Sequence, residues 1–178
     1  MKLSDLTINE YFDLLSSKKS VPGGGSCLGL VLEASCSLGL MVCNFTLDKK
    51  GYENVQTEIF FLKEELNQIK KKAHNLIDED GYAYQSVMEA YKSKDKEKIS
   101  KASIYGSEVP YQLYFLTKKC EQLCSRLCQI GNKNLVSDAK IALDLCSSIY
   151  NGCIENIKCN VNGIDDINIK NKYLELIK

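Results

Sequence analysis

The chain has 178 residues, enough for one domain, residues 1–178, with a proper buried core. Its 23 basic and 23 acidic residues cancel, which argues against a dedicated nucleic-acid binder, a class that carries a basic excess. Nine cysteines, an odd number in a chain of this length, read as small buried apolar residues rather than a disulfide framework, and the single histidine, His74, excludes a metal site built on several histidines or a ferritin-like di-iron site.

No segment reads as a strand, so the expected fold is all-α. The helices are expected over about residues 4–18, 26–47, 53–91, 95–130, 133–160 and 165–177, the fourth interrupted near Gly106 and Pro110. The opening MKLSDLTINE is polar and lacks the apolar region of a secretory leader, so a cytoplasmic location is expected. VPGGGS, residues 21–26, comes next. It is either a tight turn between two helices or bare backbone brought up to a ligand, with Ser26 as helix cap. Three glycines exceed what a turn needs, and both readings stay open on the residues alone. The most apolar run, Cys27 to Val42, is short for a membrane span and contains Glu33, so it reads as a buried core helix and no membrane partner is expected.

The third helix carries the sharpest signal. Val55, Ile59, Leu62, Leu66, Ile69, Ala73, Leu76, Asp80, Ala83, Val87 and Ala90 follow one another in steps of four and three, a stripe that faces other helices. Only Asp80 is charged. A carboxylate in a core stripe is costly unless paired or used. It is either a functional group or the cap of a break before Gly81, and Asp78 and Glu79 are free for surface duty. His74, in KKKAHNL, falls on a solvated face.

A second stripe runs Val109, Leu113, Leu116, Cys120, Leu123, Leu127, Ile130. Cys120, Cys124 and Cys128 are spaced by four, and the outer two would lie about 12 Å apart on a helix, too far for one metal ion. A third stripe, Leu135, Ala139, Ala142, Cys146, Ile149, Cys153, ends in two amides, Asn156 and Asn160. They either orient a polar heterocycle or belong to a frayed, solvated helix end. Long amphipathic helices with short connections imply an antiparallel bundle of about six long helices, and stripe left exposed on a chain this size implies a homodimer.

Six segments then stand in order: PGGGS at 22–26, TLDKKGYENV at 46–55, DEDGYAY at 78–84, EVP at 108–110, GNKNLVSDA at 131–139 and NIKCN at 156–160. Together they resemble the cyclodeaminase/cyclohydrolase family of tetrahydrofolate enzymes. That family includes formiminotetrahydrofolate cyclodeaminase, alone or as the second domain of formiminotransferase-cyclodeaminase, and bacterial methenyltetrahydrofolate cyclohydrolases. The resemblance spans nearly the whole chain and implies an all-helical homodimer acting on a one-carbon group carried by tetrahydrofolate. It implies substrate contact by Pro22, Gly23, Gly24, Gly25 and Ser26, by Tyr84 beside Asp80 and Ala83, by Glu108 with Pro110, by Asn132, Asn134 and Ser137 beside Asp138 after Gly131, and by Asn156 and Asn160. Two departures stand out. The helix after PGGGS carries Leu28, Leu32 and Glu33 where typical relatives are rich in alanine and glycine, and cysteines stand where small apolar residues are usual.

The chemistry the resemblance implies needs neither a covalent nucleophile nor a metal nor a histidine. In the cyclodeaminase reaction N10 of the folate attacks the formimino carbon on N5, ammonia leaves, and 5,10-methenyltetrahydrofolate remains. In the cyclohydrolase reaction water attacks the same carbon of the methenyl compound to give 10-formyltetrahydrofolate. A positioned carboxyl moves the protons and stabilises the cationic product. Asp80 is the first candidate and Asp138 the second, with Asn134 one turn from it to grip the pterin edge. The lysine pairs Lys49–Lys50 and Lys118–Lys119 are candidates to attract a glutamate tail, including that of a polyglutamylated folate, or are solvated surface. The cyclodeaminase leads, the cyclohydrolase follows, and a non-catalytic helical folate-binding or dimerisation module is the third reading.

Overall fold

The computed structural model describes residues 2–177, with no strand among them. A 3-10 turn at Leu3–Asp5 precedes α1 (Ile8–Leu15). Then come α2 (Gly24–Asn44), α3 (Gln56–Ser93), α4 (Lys96–Ile130), α5 (Val136–Val161) and α6 (Ile167–Leu174). The all-α expectation holds, with the ends moved. The first helix begins at Ile8 because Thr7 and Glu10 form a capping box, each bonding the other's backbone N–H.

Helices α2 to α5 form the body, each packed on the next, with α2 closing against α5. Named pairs fix their directions. Gly25 beside Asp80 and Gly39 beside Leu66 run α2 antiparallel to α3. Glu79 with Tyr105 and Glu58 with Arg126 do so for α3 and α4. Glu121 with Tyr150 and Gly106 with Asn160 do so for α4 and α5. The stripes meet in one core of Ile59, Leu66, Ile69, Leu113, Leu127, Ile149 and their neighbours. Cys36, Cys43, Cys120, Cys124, Cys146 and Cys153 are buried in it or against it, and burial pushes the Cys43 and Cys153 thiols up to about 12, so they pack as neutral groups. α2 is long and apolar enough to cross a membrane, yet half of its most apolar window is buried in the bundle.

The interruption expected in α4 is absent, and so is the break that was the alternative reading of Asp80. α4 runs unbroken through Gly106 and Pro110, held along its length by α3 and α5. α3 runs unbroken through Asp80 and Gly81, so Asp80 caps nothing; Gly81 is buried under Val21, whose Cγ1 lies 3.0 Å from where a β-carbon would stand. Asp78 is buried rather than a surface group. Its carboxylate accepts the Leu3 and Ser4 backbone N–H groups and the Ser4 hydroxyl, tying the N-terminal turn to α3. Glu79 accepts the Tyr105 hydroxyl. His74 is half-exposed and pairs with Glu33 at 3.1 Å.

Candidate active site

A cleft of about 390 Å³ opens where α2 begins. Its floor follows from the glycine loop. Gly23 is the cap of α2, and Gly24, Gly25 and Ser26 form its first turn, so Ser26 is not the cap. Amides of a first turn have no carbonyl within the helix to bind. The Ser26 N–H donates to Asp80 Oδ2 at 2.8 Å. A β-carbon on Gly25 would stand 1.9 Å from Asp80 Oδ1 and 2.6 Å from its Cγ, so only glycine lets this carboxylate lie against the turn. Gly24 has nothing within 4 Å on its β side, and it lines the cleft. The triple glycine therefore serves two ends: Gly25 admits Asp80, and Gly24 leaves bare backbone at the positive end of α2.

Burial pushes the Asp80 carboxyl above the usual carboxylate range, and the Ser26 N–H holds it part of the way down. A carboxyl moved toward neutral pH beside open space is suited to proton transfer. α5 faces it with Asn156 and Asn160, which line the cleft from a helix that continues to Val161 and is not frayed there. Tyr84, one turn beyond Asp80, stands 40% exposed at the mouth. Val21, Ala83 and Val87 add apolar wall, and no Lys, Arg or His lines the cleft among the described residues.

Ser26 is fully buried, its hydroxyl 2.9 Å from that of Tyr11, which is itself buried. Pro22 is buried just behind the lining residues Val21 and Gly23. Ser20, Val21, Gly106 and Cys159 line the cleft without being singled out by the sequence, and Tyr11 supports the turn beneath it. Tyr11 lies on a short amphipathic helix, where its ring reads as ordinary packing, and Gly106 beside Pro110 reads as a helix break.

The remaining expected residues lie elsewhere. Glu108 sits on α4 and accepts the Tyr173 hydroxyl at 2.8 Å, Lys172 at 3.1 Å and Gln112 at 3.2 Å. Burial pushes it up, but these donors outweigh burial and leave it below the usual range, anchoring α6. Asn132 is buried at the opposite end of the bundle. Its N–H donates to the Thr46 hydroxyl, its Nδ2 to the Phe45 carbonyl, and its Oδ1 accepts the Asn134 N–H. Asn134 precedes α5, so it shares no helix with Ser137 and Asp138 in the first turn of α5. Asp138 and Asn156 are about 27 Å apart along α5 at roughly 1.5 Å per residue, so within one chain Asp138 does not reach the cleft. Lys119 pairs with Glu65, and none of the four lysines singled out lines the cleft.

The sequence profile of formiminotransferase-cyclodeaminase matches residues 7–178. The chain belongs to the formiminotransferase-cyclodeaminase family. The crystal structure of formiminotetrahydrofolate cyclodeaminase from Thermotoga maritima superposes with a TM-score of 0.93 at 32% identity, over 99% of this chain and 88% of that one. A methenyltetrahydrofolate cyclohydrolase of Methylorubrum extorquens is 28% identical over 90% of this chain and 81% of its own length. The formimidoyltransferase-cyclodeaminase of Gallus gallus is 23% identical over 96% of this chain, which spans only 33% of that longer protein. The chain is thus similar to relatives named for a cyclodeaminase and for a cyclohydrolase.

Proposed function

We propose that the cleft binds a tetrahydrofolate one-carbon adduct and that Asp80 is the catalytic carboxyl of a formiminotetrahydrofolate cyclodeaminase. The observation that carries this reading is the Asp80 carboxylate, seated on the first turn of α2 through Gly25 and the Ser26 N–H, raised by burial, and lining the cleft beside Asn156, whose Nδ2 lies 3.0 Å from the same β-position of Gly25. N10 attacks the formimino carbon on N5. Asp80 takes the proton N10 sheds and returns it to the departing nitrogen, which leaves as ammonia. Ionised again, it faces the delocalised methenyl cation and stabilises it. A cleft with one carboxylate and no basic lining residue suits a reacting centre that carries positive charge. The two asparagines and Tyr84 supply the donors and acceptors that hold the ring.

The cyclohydrolase is the second reading, supported by the cyclohydrolase of Methylorubrum extorquens over most of both chains. Asp80 then serves as base for a water that adds to the methenyl carbon. A spectroscopic assay with formiminotetrahydrofolate and with methenyltetrahydrofolate in parallel separates the two. Appearance of methenyl absorbance from the first supports the cyclodeaminase, its loss from the second supports the cyclohydrolase, and turnover of neither overturns both.

The reading includes a homodimer. α2 carries one charged residue, Glu33, which pairs with His74 on α3. Its outer side shows Cys27, Val31, Ala34, Leu38, Met41 and then Phe45, again in steps of four and three, with Ala34 and Phe45 exposed and the rest partly so. A second heptad stripe on the outside of a core helix suits another copy of the chain.

A further inference from the structure

We infer that Pro110 and Gly106 are positioning residues that fix the side-chain amide of Asn160 in the cleft, leaving its carbonyl oxygen as a set acceptor for a ligand N–H. Pro110 lies inside α4, where a proline has no N–H for the carbonyl four residues back. That carbonyl belongs to Gly106. It is taken instead from the neighbouring helix: Asn160 Nδ2 donates to Gly106 O at 3.1 Å. The same position lacks a side chain, and the space is used. A β-carbon on Gly106 would stand 3.0 Å from Asn160 Cγ, 3.1 Å from its Nδ2 and 3.1 Å from its Oδ1. These three near-equal distances lay the amide flat across the backbone of Gly106. Two features of α4, a missing donor and a missing β-carbon, thus converge on one side chain of α5.

The second hydrogen of Nδ2 goes to the Asn156 carbonyl at 3.1 Å. Both donors of the amide are then used within the protein, and the orientation of the amide is settled by them. Oδ1 accepts no hydrogen bond among the described residues, and Asn160 lines the cleft beside Gly106 and Asn156. What remains for a ligand is an acceptor of fixed position, which selects a flat group presenting N–H, such as the amino edge of a reduced pterin. That last step rests on the folate reading; the positioning does not.

The test replaces Pro110 by alanine in the full chain. Pro110→Ala restores an N–H for the Gly106 carbonyl and removes a residue unfavourable within a helix, so its Tm should rise. The Asn160 side-chain amide, followed by NMR in the ligand-free protein, should lose protection against hydrogen exchange, and Kd for tetrahydrofolate by calorimetry should rise about three- to tenfold. Gly106→Ala is the second variant: its methyl crowds the amide while keeping the proline, and the same two changes are expected. Unchanged amide protection in both variants overturns the inference. So does lost protection with an unaltered Kd. A wild-type protein that fails to bind tetrahydrofolate counts against the folate reading alone, and the amide measurement still decides the positioning.

Discussion

At the residue scale Asp80 and Gly25 form a matched pair, and each is tested by a small change. Asp80→Asn keeps the shape and still accepts the Ser26 N–H, but it neither ionises nor carries a proton. Turnover should fall about a hundredfold or more, the usual scale for losing a general acid or base. Stability should move the other way. Because burial raises this carboxyl, the folded protein keeps a proton that the unfolded chain has already released above about pH 4. Stability therefore falls as pH rises from there through the raised value and stays lower above it. Asp80→Asn removes that loss, so its Tm should exceed wild type at pH 7 and approach it below about pH 4. A Tm unchanged at every pH would show that Asp80 is not held against its charge. At the loop, Gly25→Ala should displace the carboxylate and lower Tm and turnover together, because its methyl occupies the place of Asp80 Oδ1. Gly24→Leu should weaken folate binding while the Tm holds, because its side chain enters open space. Equal loss of stability from both would return the loop to a plain turn.

At the scale of elements, what was legible in the sequence was what a period can carry. The α3 stripe is a pattern local to one helix, and its single exception, Asp80, is the carboxylate of the cleft. The stripe that ends in Asn156 and Asn160 likewise delivers both amides to the same place. What periodicity does not carry is a contact between helices. Gly106 and Pro110 read as a break because their cost is local, whereas the Asn160 amide that uses the freed carbonyl lies 54 residues along the chain. Asp78 read as surface because its partners, Leu3 and Ser4, come from a segment outside every stripe. Tyr11 is the same case. It is the one buried residue of α1, and its hydroxyl meets Ser26 in the turn that holds Asp80. Tyr11→Phe keeps the ring and leaves the Ser26 hydroxyl unpaired, which should cost roughly 1–3 kcal/mol of stability. Loosening that turn should also move the acid limb of the pH–rate profile upward, since the Ser26 N–H is what lowers Asp80. A loss of stability with an unmoved profile would confine Tyr11 to packing.

At the scale of the whole molecule, the chain leaves one family segment stranded, since Asn134, Ser137 and Asp138 lie at the end of the bundle away from the cleft. The outer stripe of α2 supplies a way to use them. Paired antiparallel with its own copy about Ala34, it would set Cys27 against Met41, Val31 against Leu38 and Ala34 against Ala34, apolar at every step and closest where the side chain is smallest. The same register would lay Phe45, 60% exposed, at Gly24 of the other copy. Phe45 accepts the Asn132 side-chain N–H on its carbonyl, so the segment that follows Asn132 would arrive with it. Each cleft would then be rimmed by the first turn of α5 from the other chain. Ala34→Glu should give a monomer by sedimentation, with folate turnover lost and helix content kept; a dimer that survives this charge places the interface elsewhere. Complementation tests the shared site. Asp80→Asn and Asp138→Asn should each be nearly inactive alone. Mixed after dissociation, half of the dimers should hold one variant of each kind, with both changes gathered in one cleft and neither in the other. Turnover should recover to about a quarter of wild type at equal mixing. No recovery, with exchange of chains confirmed, would place Asp138 outside the neighbouring cleft and leave the chemistry to Asp80 and the asparagines of a single chain.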